Sequence, residues 1–155
     1  MLEVELSAGV IEYEDSGGGA EHPPIVFMHG ISDYRHWRKV VSELSPEFRC
    51  ISPTLPLGSH ARPMRPDADL SLRGMGRLLA EFLERADLDD VTLCFNDWSS
   101  AQTMIADGLM ERVGRLVLVS CETAGNYPPG IGGHGVWLSA KLPGGISLLL
   151  SLIHI

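Results

Sequence analysis

The run Pro24-Ile25-Val26-Phe27-Met28 is apolar without interruption. A strand of this kind has no face suited to water, so it belongs inside a parallel sheet covered on both sides. Short strand signals recur at Phe48–Ser52, Val91–Phe95 and Arg115–Val119, the last read as another buried strand. Between them the apolar residues change period. Tyr34, Trp37, Val40, Val41 and Leu44 fall on one helical face, with Asp33 suited to the N-cap. Leu72, Met75, Leu78, Leu79, Phe82, Leu83 and Ala86 do the same, predicting a helix from Ser71 to Ala86 whose first turns are weakened by Gly74 and Gly76. A third helix is expected over Ser99–Met110. Leu2–Leu6 and Val10–Glu14 alternate apolar and polar around Ser7-Ala8-Gly9, a β-hairpin pattern. Strands alternating with helices give the α/β class, a mostly parallel sheet with helices on both faces.

The chain has 155 residues, enough for one domain with a sizeable core. Its net charge of -8 speaks against nucleic acid and anionic membrane as partners. Cys50, Cys94 and Cys121 lack metal-ligand spacing, and reduced thiols in a cytoplasmic protein are expected. The N-terminus, Met1–Glu5, has no secretory pattern, and the apolar tail after Gly145 is too short to span a bilayer. His22, His36 and His60 are not spaced as ligands, so no metal or other cofactor is expected. Gly17-Gly18-Gly19 opens no helix and is a turn rather than a phosphate loop.

The segment Val91-Thr92-Leu93-Cys94-Phe95-Asn96-Asp97-Trp98-Ser99-Ser100-Ala101 concentrates the chemistry. A strand runs into a polar corner and a helical pattern follows. A carboxylate at such a corner stands above the sheet edge, where the N–H groups of the new helix face developing negative charge. Asp97 is therefore the candidate nucleophile. The alternative is a plain helix N-cap. Ser99 and Ser100 are displaced from the apex and are weaker nucleophile candidates.

This arrangement resembles the N-terminal half of an α/β-hydrolase over about residues 1–125. Pro24–Met28 followed by His29-Gly30 resembles that family's strand and oxyanion loop. Pro53-Thr54-Leu55-Pro56-Leu57-Gly58-Ser59 resembles a variant of the loop after the next strand. Asn96-Asp97-Trp98 resembles the elbow of haloalkane dehalogenases and epoxide hydrolases, in which Asp replaces Ser. The resemblance implies Asp97 as nucleophile through an alkyl-ester intermediate on a small apolar substrate. It implies backbone N–H groups of Trp98 and Ile31 as oxyanion donors, with the Trp98 indole able to steady a halide. His29 is then a structural part of the oxyanion loop rather than the base. Glu122, just past a strand end, is a candidate acid partner, with an ordinary surface carboxylate as the alternative. The family's usual small residue before the elbow is here Phe95, which favours the competing reading of a non-catalytic ligand-binding relative. Ile31 stands where dehalogenases often carry Asn, and Ser32 where epoxide hydrolases usually carry Pro, so neither activity is singled out.

From Gly125 the character changes. Tyr127-Pro128-Pro129-Gly130 and Gly132-Gly133 read as a linker, and 126–149 as the incomplete start of a cap. The family's catalytic His lies in a second half not matched here. His134 and His154 do not stand in a suitable loop, so the piece is expected to be C-terminally truncated and inactive in turnover. Leu150-Ser151-Leu152-Ile153-His154-Ile155 is the translation of a common transposon-adaptor end, and 150–155 are expected to be read-through. The oligomeric state is left open.

Overall fold

The computed structural model describes residues 1–19, 21–30, 34–57, 59–97, 100–121, 130–145 and 147–148. The chain divides into two compact units, Met1–Cys121 and Glu122–Ile155.

The first unit is built on one sheet. Strands β1 (Leu2–Leu6) and β2 (Gly9–Asp15) form the expected hairpin. Next come β3 (Ile25–Met28), helix α1 (Arg38–Leu44), β4 (Cys50–Pro53) and α2 (Leu72–Arg85). Strand β5 (Val91–Asn96), α3 (Ala101–Ala106) and β6 (Val113–Val119) complete it. The spatial order is β1-β2-β4-β3-β5-β6. β2 meets β4 antiparallel, whereas β3 is parallel to both β4 and β5, and β5 to β6.

The sheet is covered on both faces, as the unbroken apolar run of β3 requires. Val26 and Met28 join Ile51, Leu93 and Phe95 in the core cluster that holds Leu79, Phe82 and Met104 from α2 and α3. Ile25 and Phe27 join Cys50 and Cys94 in a second cluster with Trp37. Successive residues of one strand thus enter opposite cores, the period of two expected of a strand.

Several expectations need correction. The helix after β3 begins as a 3-10 turn over Tyr34–Trp37. Three residues per turn rather than 3.6 shift the helical phase. Trp37 is buried, yet Val40 is 40% exposed instead of facing the core. The Asp33 cap lies outside the described residues. Gly74 is in addition a packing requirement, and Gly76 a close approach. A Cβ on Gly74 would lie 2.0 Å from the Asp69 carbonyl oxygen, and one on Gly76 3.0 Å from Thr103 Oγ1 and 3.1 Å from Met104 Cγ. Their bare backbone lets α2 lie close to the 69–71 loop and to α3. Ser71 starts α2 by accepting a hydrogen bond from the Gly74 N–H, 3.1 Å.

β6 is not a buried strand. Among the described residues it pairs with β5 alone, and Val117, Leu118 and Val119 are 40–48% exposed. Its apolar sequence suits two covered faces, but its place at the sheet edge leaves them open.

In the second unit, residues 130–141, read from sequence partly as a glycine linker, form helix α4 (Gly130–Lys141). Side chains one turn apart support it. The His134 ring bonds the Gly130 carbonyl, Ser139 Oγ donates to the Gly135 carbonyl, and the Lys141 ammonium stands over the Trp137 ring. The segments 122–129 and 149–155, with Glu122 and His154, lie outside the described residues.

Candidate functional site

The site lies at the carboxyl ends of the central parallel strands β4, β3 and β5. In open α/β sheets these ends are where ligands bind. β5 ends at Asn96, and Asp97 turns out of the sheet with φ +67°. This is left-handed backbone, uncommon for a residue with a Cβ, although Asp tolerates it better than most. Two bonds hold the corner to the end of β6. The Asp97 N–H donates to the Val119 carbonyl oxygen at 3.1 Å, and Asn96 Nδ2 donates to the same oxygen at 3.3 Å. Ser120, immediately after β6, is itself left-handed at φ +51°.

Asp97 does not occupy the N-cap position of α3. That position belongs to Ser100, which is fully buried, makes no side-chain cap bond, and has a hydroxyl with no hydrogen-bond partner. The carboxylate of Asp97 instead lies over Gly30, at the end of the neighbouring strand. A Cβ built on Gly30 would fall 2.8 Å from Asp97 Oδ2, 3.1 Å from Asp97 Cβ and 3.3 Å from the Asn96 carbonyl oxygen. A side chain at position 30 would therefore displace the Asp97 carboxylate. Asp97 itself is exposed, and accessible to a ligand from above the sheet.

His29 is 1% exposed and uses both ring nitrogens. Its Nε2 accepts the Leu55 backbone N–H at 3.0 Å, and its Nδ1 stands 2.8 Å from the Gly30 carbonyl oxygen. An acceptor Nε2 requires the neutral ring protonated at Nδ1. Both ring nitrogens are thus engaged by backbone groups, one on each of two loops. Trp37 adds a third tie, its indole N–H donating to the Met28 carbonyl oxygen at 3.0 Å.

Phe95 packs in the core cluster on the α2–α3 side, with Ala101 and Met104. Its bulk is absorbed there. Ile31, Trp98 and Ser99 lie outside the described residues, as does Glu122. The structure therefore brings together Asp97, Gly30 and His29 from the residues singled out in the sequence. It adds Asn96, Leu55 and the Val119 carbonyl, which sequence reading missed. Asn96 and Leu55 stood inside recognised motifs, but a backbone carbonyl partner leaves no trace in a residue pattern. An open groove of about 440 Å³, lined by Arg77, Glu81, Glu84, Leu109 and Arg112 among others, contains none of these groups.

Among the described residues no cluster of three metal-ligating side chains is found, and no helix is long and apolar enough to cross a membrane. Cys50, Cys94 and Cys121 are not in disulfides. Burial, with the neighbouring Cys50 adding to it, pushes the Cys94 thiol up to about 11.

The fold recurs in solved structures. The chain aligns with an ancestral haloalkane dehalogenase at TM-score 0.72 and 18% identity, covering 94% of this chain and 52% of that one. It has the α/β-hydrolase fold. An N-acyl homoserine lactonase structure with this fold aligns at TM-score 0.65 and 21% identity, over 83% of this chain and 47% of that one. In sequence, the chain is similar to a haloalkane dehalogenase of Mesorhizobium japonicum, 36% identical over 84 residues. That alignment covers 54% of this chain and 26% of the relative. No protein-family model matches the chain. It spans about half the length of the solved structures it matches.

Proposed function

We propose that this chain is the nucleophile-bearing part of an α/β-hydrolase of haloalkane dehalogenase type. The observation that carries the reading is the left-handed Asp97 at the end of β5, its carboxylate seated over Gly30. One carboxylate oxygen attacks the carbon bearing the halogen. The new C–O bond forms as the carbon–halogen bond breaks, and the halide leaves with the electron pair, giving an alkyl ester on Asp97. Hydrolysis of that ester restores the carboxylate and releases the alcohol. Backbone N–H groups of Trp98 and Ile31 are assigned to the oxyanion of this second step, and the Trp98 indole to the halide. Glu122 is kept as the candidate acid partner of a base supplied by the part of the relatives' length that this chain does not span. Without that base the ester forms and persists.

The sequence likeness to a dehalogenase favours a haloalkane over an epoxide, whose opening would need a proton for the departing alkoxide. Incubating the chain in parallel with a primary bromoalkane and a terminal epoxide tests both. The bromoalkane should add one alkyl group per chain, placed on Asp97 by peptide fragmentation and absent from Asp97→Asn. Labelling by the epoxide alone would transfer the assignment to epoxide hydrolysis. A folded chain left unlabelled by either would put the ligand-binding reading first. We further propose that residues 150–155 are adaptor read-through; resequencing the source DNA from a primer inside the gene decides this, a stop after Ile155 refuting it.

A further inference from the structure

The loop after β4 belongs to the same site through one buried side chain. His29 and Leu55 are distant in sequence, yet the Leu55 N–H donates to His29 Nε2 at 3.0 Å, while Nδ1 of the same ring bonds the Gly30 carbonyl at 2.8 Å. Gly30 in turn is the surface on which the Asp97 carboxylate rests. We propose that His29 is a positioning residue that, as the neutral Nδ1-protonated tautomer, ties the Leu55 backbone to that of Gly30 and so fixes the seat of the Asp97 carboxylate.

Three observations support it. The ring is almost wholly buried, so loss of either bond leaves a polar group without water to replace the partner. The β4 loop is held independently on its other side, where the Thr54 N–H donates to the Glu12 carbonyl oxygen at 2.8 Å. Leu55 is thus a fixed point, and the ring transmits its position to Gly30. Leu55 is itself 1% exposed and part of the core cluster, which anchors that point to the body of the unit. The functional consequence rests on the proposed reactivity of Asp97, whereas the brace itself does not.

The test has an arm for each. In the full chain labelled with nitrogen-15 in histidine, the unprotonated ring nitrogen of His29 should be Nε2. In His29→Ala the Leu55 amide should lose its protection from hydrogen exchange and the Gly30 amide resonance should move. His29→Gln reaches far enough to accept from Leu55 and should restore that protection. His29→Asn, shorter, should preserve only the Gly30 resonance. For the reaction, His29→Ala should slow alkylation of Asp97 at saturating bromoalkane on the order of 100-fold, with half-saturation little changed, the size of loss that a misplacement of about 1 Å produces. A proton on Nε2, or Leu55 protection unchanged in His29→Ala, overturns the brace. Alkylation unchanged in a folded His29→Ala overturns its positioning role. If the wild-type chain is not alkylated at all, the function assignment fails, while the tautomer and exchange results still decide the brace.

Discussion

Replacing Asp97 separates two accounts of the elbow by the sign of a stability change. Asp97 is exposed and left-handed, with φ +67°, and the bond from its N–H to Val119 is a backbone bond that Gly, Ala and Asn all retain. Left-handed backbone costs a residue with a Cβ about 1–2 kcal/mol, and glycine avoids it. Glycine also loses more freedom on folding, about 0.5–1 kcal/mol. Asp starts lower on the strain scale than Ala because its side chain hydrogen-bonds locally. Asp97→Gly should therefore stabilise the chain by about 0.5 kcal/mol, and Asp97→Ala should fall about 1 kcal/mol below Asp97→Gly. Asp97→Asn should match the parent. Had Asp97 been a helix cap, both Gly and Ala would destabilise, Ala by about 1 kcal/mol. Urea unfolding followed by far-ultraviolet circular dichroism reads these differences as midpoint shifts at constant slope. An Asp97→Gly chain that unfolds at lower urea than the parent refutes the strain argument. All three variants should fail to take up an alkyl group, so the more stable Asp97→Gly would be the inert one, a trade expected where strain is stored at a reactive residue.

Gly30→Ala should leave the midpoint within about 0.5 kcal/mol but strongly slow alkylation, because the added Cβ meets the Asp97 carboxylate rather than the core. Gly74→Ala should destabilise more than Gly76→Ala in thermal melts, despite a helix-propensity gain of about 1 kcal/mol in each, since the first clashes with a backbone carbonyl and the second with side chains that can shift. The Arg49 guanidinium, hydrogen-bonded to Asp15 with Nη2 to Oδ2 at 2.7 Å, holds that carboxyl below the usual carboxylate range despite partial burial. A depressed folded pKa stabilises above the unfolded value and is lost as pH falls through the folded one. Asp15→Asn should therefore lower the urea midpoint at neutral pH, and the difference from the parent should shrink as pH falls below the usual carboxylate value. Cys94, raised from 9.0 to about 11, has the opposite sign: its contribution is whole below 9.0 and lost as pH rises through about 11. Alkaline unfolding over that window should be shallower in Cys94→Ala, and a thiol reagent should label half-buried Cys121 before Cys50 or Cys94.

Much of this protein is written locally. The double-sided burial of β3 follows from five apolar residues in a row, because a strand has only two faces and both had to be covered. The long helix α2 follows from its period, and the corner at Asp97 from a strand pattern meeting a helical one across polar residues. What the period does not carry is which strand ends meet. The order β4-β3-β5 sets Gly30 beside Asp97 and Leu55 beside His29, and those contacts join residues far apart along the chain. The same is true of glycine: Gly74 and Gly76 look like helix faults until Asp69 and α3 arrive against them. Phe95 looks misplaced beside an elbow until the α2–α3 core accepts it. Val117–Val119 read as interior because apolar content reports only what a strand would prefer to bury. Position in the sheet decides what it does bury, and β6 stands at the edge. Sequence alone thus determined most strands and helices of the first unit and the corner at Asp97. Tertiary structure decided the seat of the carboxylate, because that seat is made of backbone and empty space contributed by other strands.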